Sequence, residues 1–315
     1  MSAAPRVSVA VPLYNEEENL AELLHRLRGV LDAIPGGPHE MVLVNDGSTD
    51  RTRSMLEKEA AADPRMVVVS LSRNFGHQAA LSAALDHVDG DVTVVMDGDL
   101  QDPPEIIPRF LSQYQKGYDV VYAQRIGRKE VWWLRLCYFF FYRLLAGMSN
   151  LRLPLDAGDF ALMSRRVVEQ LRRAPEYHRY LRGLRTWVGF RQIGVPVERS
   201  ERFSGTSKYS LVKLLGLAFD GIFAFSVVPL RAATVLGAMA IALSAIFGAY
   251  SLYAKIFLDR SPQGFTALIL TIIFLAGVNL VFLGIIGEYL GRVYEEVKSR
   301  PLYVVSKVVR RAPPR

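Results

Sequence analysis

Cysteine is nearly missing from this chain: Cys137 is the single one in 315 residues. An internal disulfide and a cysteine-built metal cluster are thereby excluded. Cys137 lies in an aromatic run, where an inert buried or lipid-facing thiol is expected rather than a nucleophile. Zinc-finger spacing and an aromatic-basic RNA signature are missing too, so nucleic acid is not an expected partner. There is no internal repeat and no low-complexity segment. Met1 to Arg6 offers no charged n-region followed by an apolar h-region. A cleaved signal peptide is therefore not expected, and the N-terminal part is expected to stay in the cytoplasm. Roughly the first two hundred residues lack long hydrophobic runs and read as an ordinary soluble protein.

Strands and helices alternate through that first part. Val7 to Val11 is a short buried-strand pattern that Pro12 is expected to stop. Asn15 precedes Glu16, Glu17 and Glu18, with Leu20, Leu23, Leu24, Leu27 and Leu31 behind. This predicts a helix opening on acids at its positive dipole end and carrying an apolar stripe. Met41 to Val44 is a second strand, closed by the turn Asn45-Asp46-Gly47-Ser48-Thr49-Asp50, and a helix runs on to about Ala62. Met66 to Leu71 is a strand, Gln78 to Val88 a helix, and Val92 to Met96 a strand. A helix follows Pro103-Pro104, and Asp119 to Ala123 is another strand. The fold class is α/β, a mostly parallel sheet covered on both faces. Ligands of such sheets bind off the carboxyl ends of the strands. The loops after Val11, Val44 and Met96 share that edge, which gathers Tyr14, Asp46, Asp97 and Asp99 into one cleft.

The rest of the chain points to a membrane. Val131 to Met148 mixes Trp132, Trp133 and a run of Tyr and Phe with Arg135 and Arg143. An interfacial helix over 131–149 fits that mixture, with a buried core helix as the alternative. Tyr209 to Ser226 reads as a second surface-lying helix. Two apolar spans follow within 227–291, about 232–256 and 265–290, each long enough for a hydrocarbon core of about 30 Å. The short link Leu258 to Gly264 makes them a hairpin. Arg231 precedes it, and Arg292, Lys298, Arg300 and Lys307 follow it. The positive-inside rule sets both flanks in the cytoplasm, with 292–315 as a basic tail. The 38 basic residues exceed the 31 acidic ones by 7. Beside apolar spans, that excess meets anionic lipid headgroups and phosphates.

Asp97-Gly98-Asp99 is the strongest site signal. Two carboxylates separated by one small residue, just past a buried strand, suit a hard cation shared with a diphosphate. Mg²⁺ or Mn²⁺ there would neutralise a leaving nucleotide. Asp46 either accepts hydrogen bonds from a base or ribose, or caps the next helix, or both. Pro12, Tyr14 and Glu16 form either a helix cap or a base- and ribose-binding turn. Asp156 and Asp159 flank Gly158 ahead of a strand, as acids near an acceptor do. A phosphate monoester needs no base, its second pKa being about 6. Asp159 could instead orient the sugar or stabilise oxocarbenium-like charge. Glu201 to Tyr209 reads as a mobile basic loop, whose Arg202, Ser204 and Lys208 could close over a diphosphate. Arg125 and Arg128 are candidates for an acceptor phosphate.

Val11-Pro12-Leu13-Tyr14-Asn15-Glu16, Asn45 to Asp50, Arg73-Asn74-Phe75-Gly76, Met96 to Glu105, Gly158-Asp159-Phe160 and Arg202 to Tyr209 together resemble the family 2 glycosyltransferases of GT-A fold. More narrowly, they resemble the polyprenyl-phosphate glycosyltransferases, the group related to dolichol-phosphate mannose synthase. The run Asp97 to Glu105 is the specific part; the first two pieces are shared more broadly. The first acidic turn reads Asn45-Asp46 where many relatives carry two aspartates. The resemblance implies a GT-A catalytic domain over 1–208 and an inverting attack by a lipid phosphate on the anomeric carbon of a nucleotide-sugar, UDP-glucose first among candidates. It implies Asp97, Asp99 and Gln101 at the metal and nucleotide, with Asp159 near the reacting sugar. The two-span form resembles bacterial enzymes that charge undecaprenyl phosphate with glucose at the inner membrane and are often tetramers. UDP-GlcNAc, UDP-galactose and GDP-mannose are alternative donors. A processive polysaccharide synthase would carry Gln-x-x-Arg-Trp, of which Leu184-Arg185-Thr186-Trp187 is a loose echo. A non-catalytic membrane partner that binds lipid-sugar is the rival from another class.

Overall fold

The computed structural model describes residues 4–126, 157–174, 176–177, 179–198, 228–258 and 264–310. The two interfacial helices expected over 131–149 and 209–226 lie outside them.

Strand β1 (Val7–Leu13) is buried along its whole length. Its residues alternate between two hydrophobic clusters, Val7, Val9, Val11 and Leu13 in one and Ala10 in the other. A strand buried on both faces belongs in the middle of a parallel sheet. β2 (Glu40–Asn45), β3 (Met66–Leu71) and β4 (Val92–Val95) are equally buried, and β1 pairs in parallel with β2 and β4. Pro12 does not stop β1. Ala10 O accepts from Met96 N, so the nitrogen of Pro12, two residues on, faces the space beyond the end of β4. A strand tolerates proline where no ladder bond is asked of it.

Helices cover both faces. On one side lie α1 (Leu20–Ala33), α2 (Thr52–Ala62) and α4 (Ile107–Gln115), the last entered through a 3₁₀ turn at Pro104–Ile106. On the other lie α3 (His77–His87), α5 (Arg165–Arg173) and α6 (Leu181–Trp187). The apolar stripe of α1 is the expected one, with Leu20, Leu23, Leu24, Leu27 and Leu31 all buried. The helix starts later than the acids suggest. Asn15 sits at φ 54°, a left-handed conformation that asparagine tolerates and that a helix cannot propagate through. Glu16 to Glu18 therefore form a turn, in which Glu16 O accepts from Asn19 N and Leu20 N.

Beyond β4 the sheet turns mixed. β5 (Val120–Ile126) and β7 (Gln192–Glu198) pair in parallel, and β6 (Ala157–Ser164) runs antiparallel between β5 and β4. Because β6 is reversed, its first residues lie at the edge where β4 ends. The full order is β7-β5-β6-β4-β1-β2-β3-β8. The last member, β8 (Val305–Arg310), corrects the reading of 292–315 as a basic tail. It adds antiparallel to the open edge of β3, with Val68 opposite Val309. The pattern Val305, Val308, Val309 was too short to stand out beside the basic residues around it.

A separate compact unit holds α7 (Val228–Leu258) and α8 (Phe265–Val297). Each contains a stretch long and apolar enough to cross a membrane, Leu230–Phe257 and Thr271–Val297. Their large apolar side chains are exposed, Ile241, Phe247, Phe257, Phe274 and Leu280 among them. In water that surface would be strongly unfavourable; in hydrocarbon it is the ordinary arrangement.

Candidate functional site

The site is built where β1, β2, β3 and β4 end. Leu13 O accepts from Asp46 N, which locks the turn after β2 to the end of β1. Asn45 Oδ1 accepts from Ser48 N at 3.1 Å, and Asp50 Oδ1 from Thr52 N at 2.9 Å. The helix-capping duty expected of Asp46 thus falls to its neighbours. Asp46 is buried and does something else: its two carboxylate oxygens accept from Phe75 N at 2.8 Å and Gly76 N at 3.0 Å. Burial raises its pKa, with those two N–H groups opposing. Its duty is to fix the two residues that precede His77.

Gly47 and Gly98 are required by close approach. A Cβ on Gly47, which sits at φ +66°, would lie 2.3 Å from the Arg73 carbonyl carbon. A Cβ on Gly98 would meet Leu13 Cδ2 at 2.3 Å. In both places backbone is brought near neighbouring chain where any side chain intrudes.

Continuing the β4–β6 register by two residues, from Val95 opposite Ala161, sets Asp97 opposite Asp159. His77, the first residue of α3, stands between them, with Nε2 at 3.5 Å from Asp97 Oδ1 and 3.7 Å from Asp159 Oδ2. Arg182 of α6 grips Asp159 with both prongs, Nε to Oδ1 at 2.7 Å and Nη2 to Oδ2 at 2.8 Å. The charges follow from this geometry. Burial opposes ionisation of Asp159, but Arg182 and His77 outweigh it and hold its pKa well below the carboxylate range. Burial also opposes the charge on His77, but Asp159 and Asp97 outweigh it and raise the imidazole. Asp97 is raised, by burial first and by the Asp159 and Asp99 charges after it. Arg185, 3% exposed, has Nε and Nη2 without partners. Burial pushes its guanidinium down to about 10. Its compensations are a long contact from Nη1 to Gly158 O at 3.4 Å and the face of Tyr122 at 5.2 Å.

The donor atoms can be tested against a divalent cation. Asp97 Oδ1 and Gln101 Oε1 are buried oxygens without a hydrogen-bond donor, and Asp99 lies between them in sequence. Orphaned oxygens are what a hard cation takes. Among the described residues, no group of three His, Cys, Asp or Glu side chains closes a cage. The residues therefore fit an ion held by one or two carboxylates and completed by substrate phosphates, as Mg²⁺ and Mn²⁺ commonly are.

Of the other expected site residues, Tyr14 is 45% exposed at the end of β1. Glu16 N donates to Thr52 Oγ1 at 2.9 Å. Arg125 has its backbone in β5, with its side chain outside the described residues, as are Arg128, Asp156, Arg202, Ser204 and Lys208. Sequence reasoning missed His77, Arg182 and Arg185. The signals were adjacent: Arg73-Asn74-Phe75-Gly76 ends one residue before His77, and the Leu184 to Trp187 echo contains Arg185 and follows Arg182.

Acids gathered at the carboxyl ends of the strands of an α/β sheet stand where such folds bind their ligands. The glycosyl transferase family 2 model matches residues 8–172, and the chain belongs to that family. It is 42% identical over 98% of its length to an uncharacterized glycosyltransferase, YkcC, of Bacillus subtilis (strain 168), covering 95% of that protein. It is 39% identical over 96% of its length to the SfII prophage-derived bactoprenol glucosyl transferase of Shigella flexneri, covering 98% of it. A mannosyltransferase of Pyrobaculum calidifontis, PcManGT, solved with GDP-Man and Mn²⁺, is 21% identical over 80% of this chain and 82% of that one, at a TM-score of 0.47.

Proposed function

We propose that this glycosyltransferase moves a sugar, glucose first, from a uridine diphosphate donor to the phosphate of a polyprenyl carrier, with inversion. The observation that carries the reading is the pairing of Asp97 with a clamped Asp159 across the β4–β6 edge, in a chain that also holds two membrane-length apolar helices. The names of the Shigella relatives support the glucose and the bactoprenol-type carrier.

A divalent ion at Asp97 and Asp99 would supply Lewis-acid neutralisation of the departing diphosphate. Gln101 N donates to Asp99 Oδ1 at 3.2 Å, which fixes that carboxylate toward the loop. Tyr14, Glu16 and the Asp46 turn line the nucleotide end. Asp159 is a poor proton acceptor, because both oxygens are engaged by Arg182 and its negative charge is strongly stabilised. The acceptor phosphate is already largely ionised near neutral pH. Asp159 therefore acts as a fixed negative charge that holds the sugar and stabilises positive character at the anomeric carbon. Arg185 carries a buried charge that Asp159 offsets only in part and two guanidinium nitrogens without hydrogen-bond partners, a state relieved when an anionic substrate enters.

The pairing of β8 with β3 supports a hairpin whose two ends lie on one side of an inner membrane. β8 follows α8, β3 precedes α7, and one sheet cannot be divided by a bilayer. The test is a panel of radiolabelled nucleotide-sugars with undecaprenyl phosphate and Mg²⁺ or Mn²⁺, reading label in the organic phase. UDP-glucose is expected to give the strongest signal, and Asp99→Asn to abolish it while the protein still folds. Near-normal turnover in Asp99→Asn would overturn the ion's placement.

A further inference from the structure

A polar cavity of about 310 Å³ opens at the same sheet edge on the β3 side. It is lined by Arg73, Phe75, Gln78, Tyr177, Arg179 and Leu302. The lining holds two guanidinium groups and no acid. Neither arginine forms an ion pair among the described residues. Arg73 stacks on the face of Phe75 at 4.1 Å and spends one N–H on Asn74 O at 2.9 Å. Arg179 spends one on Ala174 O. Each guanidinium carries five N–H donors, so both keep most of theirs for a ligand. Two cations facing one concave space repel each other until an anion sits between them, and guanidinium forks match phosphate oxygens in geometry.

The surroundings say what kind of anion. Leu302 belongs to the segment that enters β8, five residues after the end of the apolar helix α8. That segment is pinned at the sheet edge by Ser72 N donating to Val304 O at 2.9 Å. On the other wall, Gln78 follows His77, and its Oε1 accepts from Leu181 N at 3.0 Å, one residue before Arg182. The cavity thus touches the chain returning from α8, the helix α3 that opens on His77, and the segment that leads into α6.

We propose that this cavity, whose lining includes none of Asp97, Asp99 and Asp159, is an anion site that takes a phosphate group between Arg73 and Arg179. The phosphate could be presented by a phospholipid headgroup or arrive free. The site is separate from the glycosyl-transfer reading and does not require it. Full-length protein in a neutral detergent is titrated calorimetrically with short-chain phosphatidylglycerol and, separately, with inorganic phosphate. Saturable binding is expected in the parent protein, weakened tenfold or more in Arg179→Gln. Leu302→Trp, which fills the space and leaves both charges, is expected to abolish it. Binding of the lipid without phosphate assigns the site to a headgroup; equal binding of phosphate assigns it to the free ion. No isotherm with either probe in the parent overturns the proposal, as do isotherms unchanged in both variants. Sugar transfer by Arg179→Gln is expected at the parent rate, so failure here leaves the transferase reading untouched.

Discussion

Asp159 derives its character from two neighbours rather than from its own strand. The bidentate grip of Arg182 fixes the carboxylate plane, and a lysine cannot reproduce a fork. Arg182→Lys should therefore keep the charge and lose the orientation. We expect transfer to fall about 100-fold with the melting temperature nearly unchanged, the size of a small misplacement at the reacting centre. Arg185 predicts the opposite division. Replacing buried charged groups with well-packed apolar chains of similar volume is often neutral or stabilising, and Arg185 leaves two nitrogens unsatisfied in the core. Arg185→Met should raise the melting temperature in detergent and lower turnover; a variant that lost stability would show that the guanidinium has a structural partner. The two glycines differ in what they meet. Gly47→Ala meets backbone at a positive φ and should destabilise by more than about 1 kcal/mol. Gly98→Ala meets the side chain of Leu13, which is itself buried in the core, so it should cost stability through repacking as well as activity. The paired acids of Asp97-Gly98-Asp99 were legible because they adjoin a readable strand. His77 and Arg182 were not, because each lies on a different helix and the motifs beside them stop short of them.

Among elements, α1 and β8 show how far local pattern reaches. The apolar stripe of α1 names its buried face residue by residue, yet its first turn was misplaced because Asn15 takes a conformation that a periodicity argument does not see. α1 is tied to its neighbours by Arg28, which donates to Asp63 Oδ2 at 3.0 Å and Glu59 Oε2 at 2.8 Å. Burial alone would raise the pKa of Asp63, but Arg65 and Arg28 outweigh it and lower it. A carboxylate lowered on folding contributes stability above its unfolded pKa of about 3.9 and loses it as pH falls through the folded value. Acid unfolding below about pH 4 should therefore be shallower in Asp63→Asn than in the parent, measured by circular dichroism. β8 covers an edge that would otherwise offer unpaired N–H and C=O groups. It is held further by Lys307 to Glu57 at 2.8 Å and Ser306 Oγ to Ser70 O at 2.9 Å. Ending the chain before Tyr303 should lower the melting temperature by several degrees and promote aggregation through β3, seen by scanning fluorimetry and size exclusion.

For the whole molecule, one prediction concerns the bilayer. With Cys137 replaced, a cysteine at Gly264, which opens α8, should react with an impermeant maleimide added outside spheroplasts, and one at Lys298 only after lysis. Equal labelling of the two would remove the hairpin. Sequence by itself determined the α/β class, the two apolar helices and the acids of the β4 loop. Each is a property of consecutive residues: a period, a length, or carboxylates that follow a strand. Tertiary structure alone decided that β6 is reversed, that Asp159 thereby faces Asp97, that His77 and Arg182 hold them, and that the last strand closes the sheet. Those are choices among pairings of distant segments, settled by which edges and charges remain unsatisfied once the local elements have formed.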